Sequence, residues 1–470
     1  MKIEQIYTGC LAQGAYFIQS KGEAVVIDPL REVGPYLEKA QKESVKIKYV
    51  FETHFHADFV SGHLDLSSKS GAPIVYGPNA VTGFDAIIAE DGQIFEVGDI
   101  KIKVLHTPGH TMESTCFLLF DENGKENALF SGDTLFIGDV GRPDLAQKSD
   151  ITMDDLAGFL YDSLRNKIMT LPDDVTVYPA HGAGSACGKN MSKETTDSLG
   201  NQKATNYALR ADMTKEEFIK EVTDGLAPPP NYFPQNVMMN KQGYESFDEV
   251  MARGAQALSP IAFEAAANET GAIMLDTRNP QVFAKGFVPN SINIGLNGQF
   301  APWVGALIPD LKQEILLITE EGQEEETITR LARVGYDNSI GYLKGGIDAW
   351  KNAGNELDTI ESISPEELSE RMKKDPEMHV IDVRKPGEYI SEHVENVPNF
   401  PLDFINENFA EINKANTYTI HCAGGYRSMI AASILKSRGI DVVDVNGGFA
   451  AIKSSEKFTL TDYVCPSTIK

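Results

Sequence analysis

The sequence predicts a multidomain α/β protein. Its 470 residues correspond to about three domains at roughly 150 residues each. Short β-rich runs alternate with helical stretches along the chain, which is typical of α/β folds. Two segments of the second half match each other, which indicates that one small α/β module occurs twice. A hydrophobic content of 42% is sufficient for several cores.

The net charge and the cysteine spacing indicate which binding partners and which cellular compartment to expect. The formal net charge of −26 argues against a nonspecific nucleic-acid binder, because such proteins need basic patches. The first six residues lack the basic start of a signal peptide, and no apolar run approaches the roughly 20 residues that span a bilayer. The five cysteines are far apart, which favours single reactive thiols in a reducing compartment. We therefore expect a cytoplasmic protein without nucleic-acid or membrane partners.

The first region concentrates the histidines. Six of the nine histidines fall within the first 181 residues. Four β-rich runs in this region each lead into a segment with metal-ligand residue types. These runs are 45–50, 100–105, 128–130 and 175–178. Because strand ends hold side chains on a rigid frame, we expect the segments to form one cluster.

These segments contain the residue types of a metal site. His54, His56 and Asp58 lie on one short loop, and His110 and Asp133 follow two of the other runs. Two histidines and one carboxylate on one face of a metal leave three positions open, as in Fe(II) oxygenases. An isolated His-X-His is a weak signal. Four strand-end matches in order favour a metal site over scattered polar loop residues.

The second half contains the internal repeat. Residues 275–280 read Leu-Asp-Thr-Arg-Asn-Pro and residues 381–386 read Ile-Asp-Val-Arg-Lys-Pro. A glycine pair follows in each copy, at 345–346 and at 447–448. Strands and helices alternate in both copies, so we predict two small α/β domains with mostly parallel sheets.

Two boundaries separate the three domains. The proline-rich residues 228–234 cannot continue a helix or a central strand, and we interpret them as a stiff connector. Ser364, followed by proline, is a favourable helix start and indicates the second boundary. We place the domains at 1–240, 241–358 and 359–470.

The last domain carries a cysteine loop. Cys422 follows a buried strand, 417–421, and precedes a helix, so it faces the positive end of that helix. Backbone N–H groups turned inward at Gly424 and Gly425, together with the charge of Arg427, complete an anion cradle around a thiolate nucleophile. We assign catalytic roles to Cys422 and Arg427. Further candidate substrate contacts are Ala423, Gly424, Gly425 and Tyr426.

The middle domain repeats the pattern without the chemistry. Its equivalent turn, 319–326, contains neither cysteine nor arginine, and its glutamates would repel an anionic substrate. We therefore predict an inactive domain. We interpret three of its large aromatic residues as core: Phe300, Trp303 and Trp350.

The motifs of the first region resemble the metallo-β-lactamase superfamily. They are His54-Phe55-His56-Ala57-Asp58, Thr107-Pro108-Gly109-His110-Thr111, the segment 131–136 and Pro179-Ala180-His181-Gly182. The segments 138–145 and 181–188 resemble its persulfide dioxygenase branch. The resemblance covers about residues 1–240 and implies an αββα sandwich.

The resemblance also implies a ligand set. Glyoxalase II-type hydrolases carry a second histidine after the aspartate, and here that position is Phe59, which cannot bind a metal. The implied ligands of one Fe(2+) per chain are His54, His110 and Asp133. The outer groups that would orient these ligands are His56, Asp58 and His181. The alternative is a two-zinc thioester hydrolase similar to glyoxalase II, in which these three residues bind metal.

The cysteine loop resembles the active loop of rhodanese sulfurtransferases, over about residues 361–460. Four residues separate Cys422 from Arg427, whereas related phosphatase loops use five and form a wider cradle. The middle domain resembles inactive rhodanese modules. The whole arrangement resembles bacterial persulfide dioxygenase–sulfurtransferases of sulfide detoxification.

These resemblances imply substrates and partners. A thiol persulfide of the glutathione, coenzyme A or bacillithiol type would be oxidised with O₂ to sulfite, and Cys422 would move sulfane sulfur to or from sulfite or thiosulfate. Arg142 and Lys189 are candidates for holding the thiol carrier. Cys187 is either a sulfur acceptor or a small buried residue. We expect a homo-oligomer, and a non-enzymatic sulfur carrier is the remaining alternative.

Overall fold

A computed structural model describes residues 1–146, 150–226 and 228–465. By its internal contacts the chain divides into two compact units. The first comprises Met1–Phe247 and Ala332–Gly335, and the second comprises Asp248–Leu331 and Tyr336–Lys470.

The first unit contains two six-stranded sheets. The first sheet consists, in spatial order, of β1 (Lys2–Thr8), β2 (Gln13–Ser20), β3 (Glu23–Ile27), β4 (Lys46–Phe51), β5 (Ile74–Tyr76) and β6 (Ile87–Ile88). The second consists of β7 (Ile94–Val97), β8 (Ile100–His106), β9 (Thr115–Phe120), β10 (Glu126–Gly132), β11 (Thr176–Pro179) and β12 (Asp197–Ser198), also in spatial order. The first sheet is antiparallel from β1 to β3 and parallel from β3 to β6. In the second, only the β10–β11 pair is parallel.

In the part of the chain that the structure describes, six α-helices accompany these sheets. They are α1 (Gly34–Lys42), α2 (His63–Ser70), α3 (Met153–Ser163), α4 (Leu199–Thr205), α5 (Lys215–Thr223) and α6 (Phe233–Gln242). A π-helical turn, Leu164–Ile168, continues α3.

Among the described residues, three of the apolar cores of the first unit build the sandwich. The central core joins the inner faces of the two sheets, for example Phe51 of β4 and Phe117 of β9, whose ring centroids lie 4.8 Å apart. One outer core packs α1 and α2 on the first sheet, and another packs α3 and α5 on the second. In β8, Ile100, Ile102 and Val104 are buried while the lysines between them point outward, as period-two alternation requires. The predicted αββα sandwich is therefore confirmed.

The predicted connector is shorter than expected. The helix α6 begins at Phe233 with Pro234 in its first turn, where proline costs no hydrogen bond. The helix belongs to the first unit, where Asn240 bonds to Phe59 and Ser61 of the loop after β4. The stiff-connector interpretation of 228–234 is thus wrong for its last two residues.

The second unit contains two parallel sheets. The five-stranded sheet has the spatial order β13-β17-β16-β14-β15, with β13 (Ala257–Leu258), β14 (Ile273–Asp276), β15 (Ile292–Asn293), β16 (Ile315–Ile318) and β17 (Ser339–Leu343). The four-stranded sheet has the order β18-β21-β20-β19, with β18 (Glu361–Ile363), β19 (His379–Asp382), β20 (Thr417–His421) and β21 (Asp441–Val445). All strand pairs in both sheets are parallel, as predicted.

Helices connect these strands. With the middle-domain sheet go α7 (Phe247–Gly254), α8 (Pro260–Thr270), α9 (Pro280–Phe283), α10 (Phe300–Leu307), α11 (Glu324–Arg333) and α12 (Gly346–Asn352). With the last sheet go α13 (Pro365–Lys374), α14 (Pro386–Ser391), α15 (Tyr426–Ser437) and α16 (Gly448–Ser455). Among the described residues, no helix is long and apolar enough to cross a bilayer.

The repeated Asp-X-Arg motif is a structural clamp. Arg278 Nη2 lies 2.6 Å from Asp276 Oδ2, and Arg384 Nη2 lies 2.6 Å from Asp382 Oδ2. The same arginine atoms donate to the carbonyl oxygens of Gly286 and Glu392. Each clamp is buried and fixes the strand end to the following loop, so the repeat reports on fold and not on catalysis.

Candidate metal centre and sulfur-transfer site

Three buried side chains of the first unit form a candidate metal site. His54 follows β4, His110 follows β8, and Asp133 directly follows β10. One ligand atom from each lies within 4.8 Å of the others. Oδ2 of Asp133 lies 3.7 Å from Nε2 of His54 and 3.5 Å from Nε2 of His110. This cluster is the predicted ligand set.

The free atom of Asp133 indicates that a cation fits here. Oδ2 is buried and has no hydrogen-bond partner within the described part of the chain. A buried carboxylate oxygen without a partner is costly, and a divalent cation between this oxygen and two imidazole nitrogens removes that cost. Two histidines and one carboxylate suit a divalent transition metal.

Hydrogen bonds orient the ligands. Nδ1 of His110 donates to the carbonyl oxygen of Arg142 at 2.8 Å. Nδ1 of His54 lies 3.0 Å from Oγ1 of Thr53, whose hydroxyl donates to Asp28. Because both Nδ1 atoms are engaged, both Nε2 atoms are left for the metal.

Asp133 also belongs to a charged network. Burial disfavours its charge, but His181, His54 and His110 outweigh burial and hold the pKa of this carboxyl below its usual range. Burial likewise disfavours the His181 imidazolium, but Asp133 and Asp58 raise the pKa of His181 well above its usual value. His181 lies between the two carboxylates, 2.8 Å from Asp133 Oδ1 and 2.9 Å from Asp58 Oδ2.

Cys187 adjoins this pair. Its Sγ, an Asp58 oxygen and a His181 nitrogen lie within 4.8 Å of one another. Burial, followed by the charges of Asp58 and Asp133, raises the pKa of the Cys187 thiol well above its usual value. A protonated thiol is a weak nucleophile, which favours the buried-residue interpretation over the sulfur acceptor.

The two predicted carrier-binding cations are engaged elsewhere. Arg142 is buried; its Nε and Nη2 donate to Asp144 at 2.6 and 2.7 Å, and its Nη1 donates to the carbonyl oxygen of Ala186. Nζ of Lys189 donates to the carbonyl oxygens of Glu221 and Asp224, at the end of α5. Both side chains therefore hold loops in place, and their role as substrate contacts stays a prediction.

Sequence reasoning missed Asn240. Its side-chain amide donates to the carbonyl oxygens of His56 and Phe59 at 2.8 Å each, and its Oδ1 accepts from Ser61 N–H at 2.8 Å. One buried side chain from α6 thus holds the metal-binding loop at three points. Its sequence context gave no signal, because the contact joins residues far apart in the chain.

Cys422 lies at the base of a second site. It is 1% exposed and follows β20 directly. Gly425, with φ 99°, precedes α15, and its N–H donates to Cys422 Sγ at 3.1 Å. Glycine suits this left-handed position because it lacks a Cβ. Ser428 Oγ lies 3.6 Å from the sulfur and donates to Asp444. One N–H of the predicted cradle, that of Gly425, thus points to the sulfur.

A cavity of about 370 Å³ opens onto this sulfur. It is lined by Gln299, Trp303, Lys385, Glu388, Cys422, Ala423, Gly424, Tyr426 and Arg427. Arg427 faces the cavity and is paired with Glu388 at 2.6 and 2.8 Å. The Tyr426 hydroxyl donates to the carbonyl oxygen of Gly295 at 2.7 Å, and Tyr426 as a substrate contact stays a prediction.

The middle domain contributes to this cavity. Gln299 and Trp303 are residues of the middle domain that line the cavity wall. Trp303 does so although its side chain is only 5% exposed. The interpretation of Trp303 as core alone is therefore incomplete.

The middle domain has no cysteine at the position equivalent to Cys422. Thr319 occupies that position, directly after β16, and α11 begins with three glutamates. The last domain holds the thiol and the middle domain supplies part of the wall.

Two family models match the chain. The model of the metallo-β-lactamase superfamily matches residues 8–181, and the model of the rhodanese-like domain matches residues 259–353 and 364–455. A metallo-β-lactamase of known structure from Staphylococcus aureus subsp. aureus COL is 32% identical and covers 73% of this chain and 99% of its own, with a TM-score of 0.65. The chain therefore belongs to the metallo-β-lactamase superfamily and carries two rhodanese-like domains.

Other relatives match a smaller part of the chain. A hydroxyacylglutathione hydrolase of Tolumonas auensis is 35% identical over 35% of this chain. The chain spans only 59%, 57% and 60% of the first three curated relatives, all of them hydroxyacylglutathione hydrolases or probable ones. The structure of ETHE1 from Myxococcus xanthus is 28% identical and covers 52% of this chain and 99% of its own, with a TM-score of 0.45.

Proposed function

We propose that this protein is an iron-dependent persulfide dioxygenase joined to a rhodanese-type sulfurtransferase. One observation carries the proposal. Asp133 Oδ2 has no partner in the described structure and faces His54 and His110, while Phe59 occupies the position from which hydrolases bind a second metal. The resemblance of segments 138–145 and 181–188 to persulfide dioxygenases supports the same conclusion.

The residues of the site fit the proposed iron. When bound, Fe(II) would supply open positions for a thiol persulfide and O₂ and the electrons that start O₂ reduction. His54, His110 and Asp133 would hold it on one face. Their buried surroundings exclude bulk water, which strengthens every electrostatic interaction in the site. His181 would fix Asp133 Oδ1, so that only Oδ2 faces the metal.

Cys422 would carry out the sulfur-transfer step. Its thiolate attacks the sulfane sulfur of thiosulfate, the S–S bond breaks, and sulfite leaves with the bonding electron pair. The products are a Cys422 persulfide and sulfite. Arg427 and Lys385, which line the cavity, would attract the dianion. The reverse reaction converts sulfite to thiosulfate, and the direction depends on supply.

A second candidate function is a two-zinc thioester hydrolase. It is favoured by the similarity to hydroxyacylglutathione hydrolases, although the chain spans only about three fifths of their length. Asp58 and His181 lie 2.9 Å apart and remain available to a second cation. Phe59 weighs against this function because it removes one nitrogen ligand from that position.

Metal analysis and oxygen uptake separate the two functions. The purified protein is expected to contain about one iron per chain and to consume O₂ with the persulfide of glutathione, coenzyme A or bacillithiol, releasing sulfite. Asp133→Ala should lose both iron and O₂ uptake, whereas Asp144→Ala, which removes a carboxylate bound to Arg142, should retain iron. Two zincs per chain, with hydrolysis of a glutathione thioester and no O₂ uptake, would refute the proposal. The thiol carrier, a cytoplasmic location and a homo-oligomer remain part of the proposal.

A further inference from the structure

His56 lies beside the candidate metal ligands but faces away from them. Its ring centroid lies 4.2 Å from that of His54, closer than His110 at 5.0 Å. Nevertheless, the potential ligand atoms grouped around its ring nitrogen belong to Asp28 and Glu52, and not to the cluster of His54, His110 and Asp133. His56 is therefore close enough to bind the metal, but the orientation of its ring prevents it from doing so.

Two buried carboxylates face the turned ring. Nε2 of His56 lies 3.2 Å from Oδ1 of Asp28 and 3.5 Å from Oε2 of Glu52. All three side chains are at most 1% exposed. Within the described residues neither ring nitrogen of His56 has a hydrogen-bond partner, so these are electrostatic contacts, which are stronger in a dry interior than in water.

The two carboxylates are themselves fixed. Asp28 accepts from the backbone N–H of Thr53 at 2.8 Å and from its hydroxyl at 2.9 Å. Glu52 accepts a hydrogen bond from the hydroxyl of Ser61. Asp28 also has a φ of 51°, a left-handed backbone conformation that non-glycine residues rarely adopt. Such local strain persists only where the surroundings hold it in place.

Phe59 packs against the His56 ring. The rings of His56 and Phe59 lie 4.4 Å apart at an angle of 35°. Asn240 binds the backbone carbonyl oxygens of both residues. Phe59 therefore does more than remove a second-metal ligand, because it also packs against the ring that Asp28 and Glu52 face.

We propose that Asp28 and Glu52 are positioning residues that hold His56 away from the metal, so that the metal keeps three protein ligands and three open positions. The inference rests on the proposed iron site. A fourth protein ligand would occupy one position needed by persulfide or O₂. It would also favour zinc, which prefers four-coordinate sites.

The test is a charge-neutral double variant, Asp28→Asn/Glu52→Gln, which keeps side-chain size. The metal-free proteins are mixed anaerobically with equal Fe(II) and Zn(II), and bound metals are counted. Visible absorption of the Co(II)-loaded proteins reports coordination number, because four-coordinate Co(II) absorbs far more strongly than six-coordinate Co(II). The single variant Glu52→Gln serves if the double variant does not fold. A matched control is Glu113→Gln, because the Glu113 carboxylate accepts from the N–H of Phe55, the residue before His56.

We expect the double variant to shift the zinc-to-iron ratio upward by about tenfold, equivalent to about 1.4 kcal/mol, and to strengthen the Co(II) absorption. Adding His56→Ala to the double variant should restore both readouts, whereas Glu113→Gln should resemble the native protein. An unchanged ratio, or a shift that persists without His56, would overturn the inference. It would also be overturned by a second metal in the native protein that His56→Ala removes, because the cluster would then itself bind a cation.

These readouts do not depend on turnover. If the native protein consumes no O₂ with any persulfide but the Co(II) spectrum changes as expected, the proposed function fails and the positioning role stands. If O₂ uptake is present and the spectrum does not change, the positioning role fails and the function stands.

Discussion

Nδ1 of His181 donates a 2.8 Å hydrogen bond to Oδ1 of Asp133, the carboxylate whose other oxygen faces His54 and His110. The bond fixes which oxygen reaches the metal. A residue with this role changes metal affinity without itself being a ligand.

Replacing His181 should therefore weaken metal binding. We expect His181→Asn to reduce iron affinity by about 10- to 100-fold, measured by competition with a chelator. His106→Asn is the control, because His106 lies in the same unit and contacts the Met112 carbonyl oxygen instead of the cluster. Equal affinity in the native protein and His181→Asn would contradict the role.

Replacing the nucleophile should uncouple the two activities. Cys422→Ser should leave O₂ uptake unchanged and shift the product from thiosulfate to sulfite, because serine cannot carry a sulfane sulfur. Products are separated by chromatography after persulfide and O₂ are consumed. Cys10→Ser provides the matched control. Unchanged thiosulfate output from Cys422→Ser would mean that the transfer occurs in solution or at another cysteine.

The sequence allowed prediction of those site residues that depend on strand ends. His54, His110 and Asp133 follow three strands of two facing sheets, so their convergence results from regular β geometry. Cys422 was predictable for the same reason, since a strand-loop-helix segment is local. Secondary structure predicts that these segments converge, whereas the choice of the three ligands over His56, Asp58 and His181 came from the family resemblance.

Side-chain partners could not be predicted in the same way. Arg142 turns to Asp144, two residues later, and Lys189 reaches the end of α5. A charged side chain binds whichever partner folding brings nearest, and sequence spacing does not specify that partner. Trp303 lines the cavity of a different domain, and such long-range packing leaves no periodic signal.

A negative charge at the cavity wall should weaken the binding of anionic sulfur donors. Gln299 is exposed and lines the cavity above Cys422. Gln299→Glu should raise KM for thiosulfate by about three- to tenfold, because a charge near the surface is worth about 1 kcal/mol, and added salt should reduce the effect. Asn297→Asp is the matched control, since Asn297 is exposed and is not among the lining residues. Equal KM values in both variants would indicate that the middle domain does not influence substrate binding.

His63 should make the first unit less stable in acid. Burial, followed by the charge of Arg31, lowers the pKa of His63 to about 3, whereas an unfolded histidine titrates near about 6.5. Between these values the unfolded chain binds a proton that the folded chain does not. The free energy of unfolding therefore decreases as the pH is lowered below about 6.5, by up to about 1.4 kcal/mol per pH unit.

Hydrogen exchange of the α2 amides measures this loss locally. His63 packs between Phe84 and Tyr244, at centroid distances of 4.9 and 5.4 Å, so His63→Phe preserves the aromatic contact and removes the proton site. Between pH 6.5 and 4.5 the native protein should lose about 2–3 kcal/mol more opening free energy at these amides than His63→Phe does. Replacing His379, which is exposed and lies in the second unit, should change nothing at α2. Parallel pH dependence in the native protein and His63→Phe would show that His63 is not the residue whose protonation opens α2.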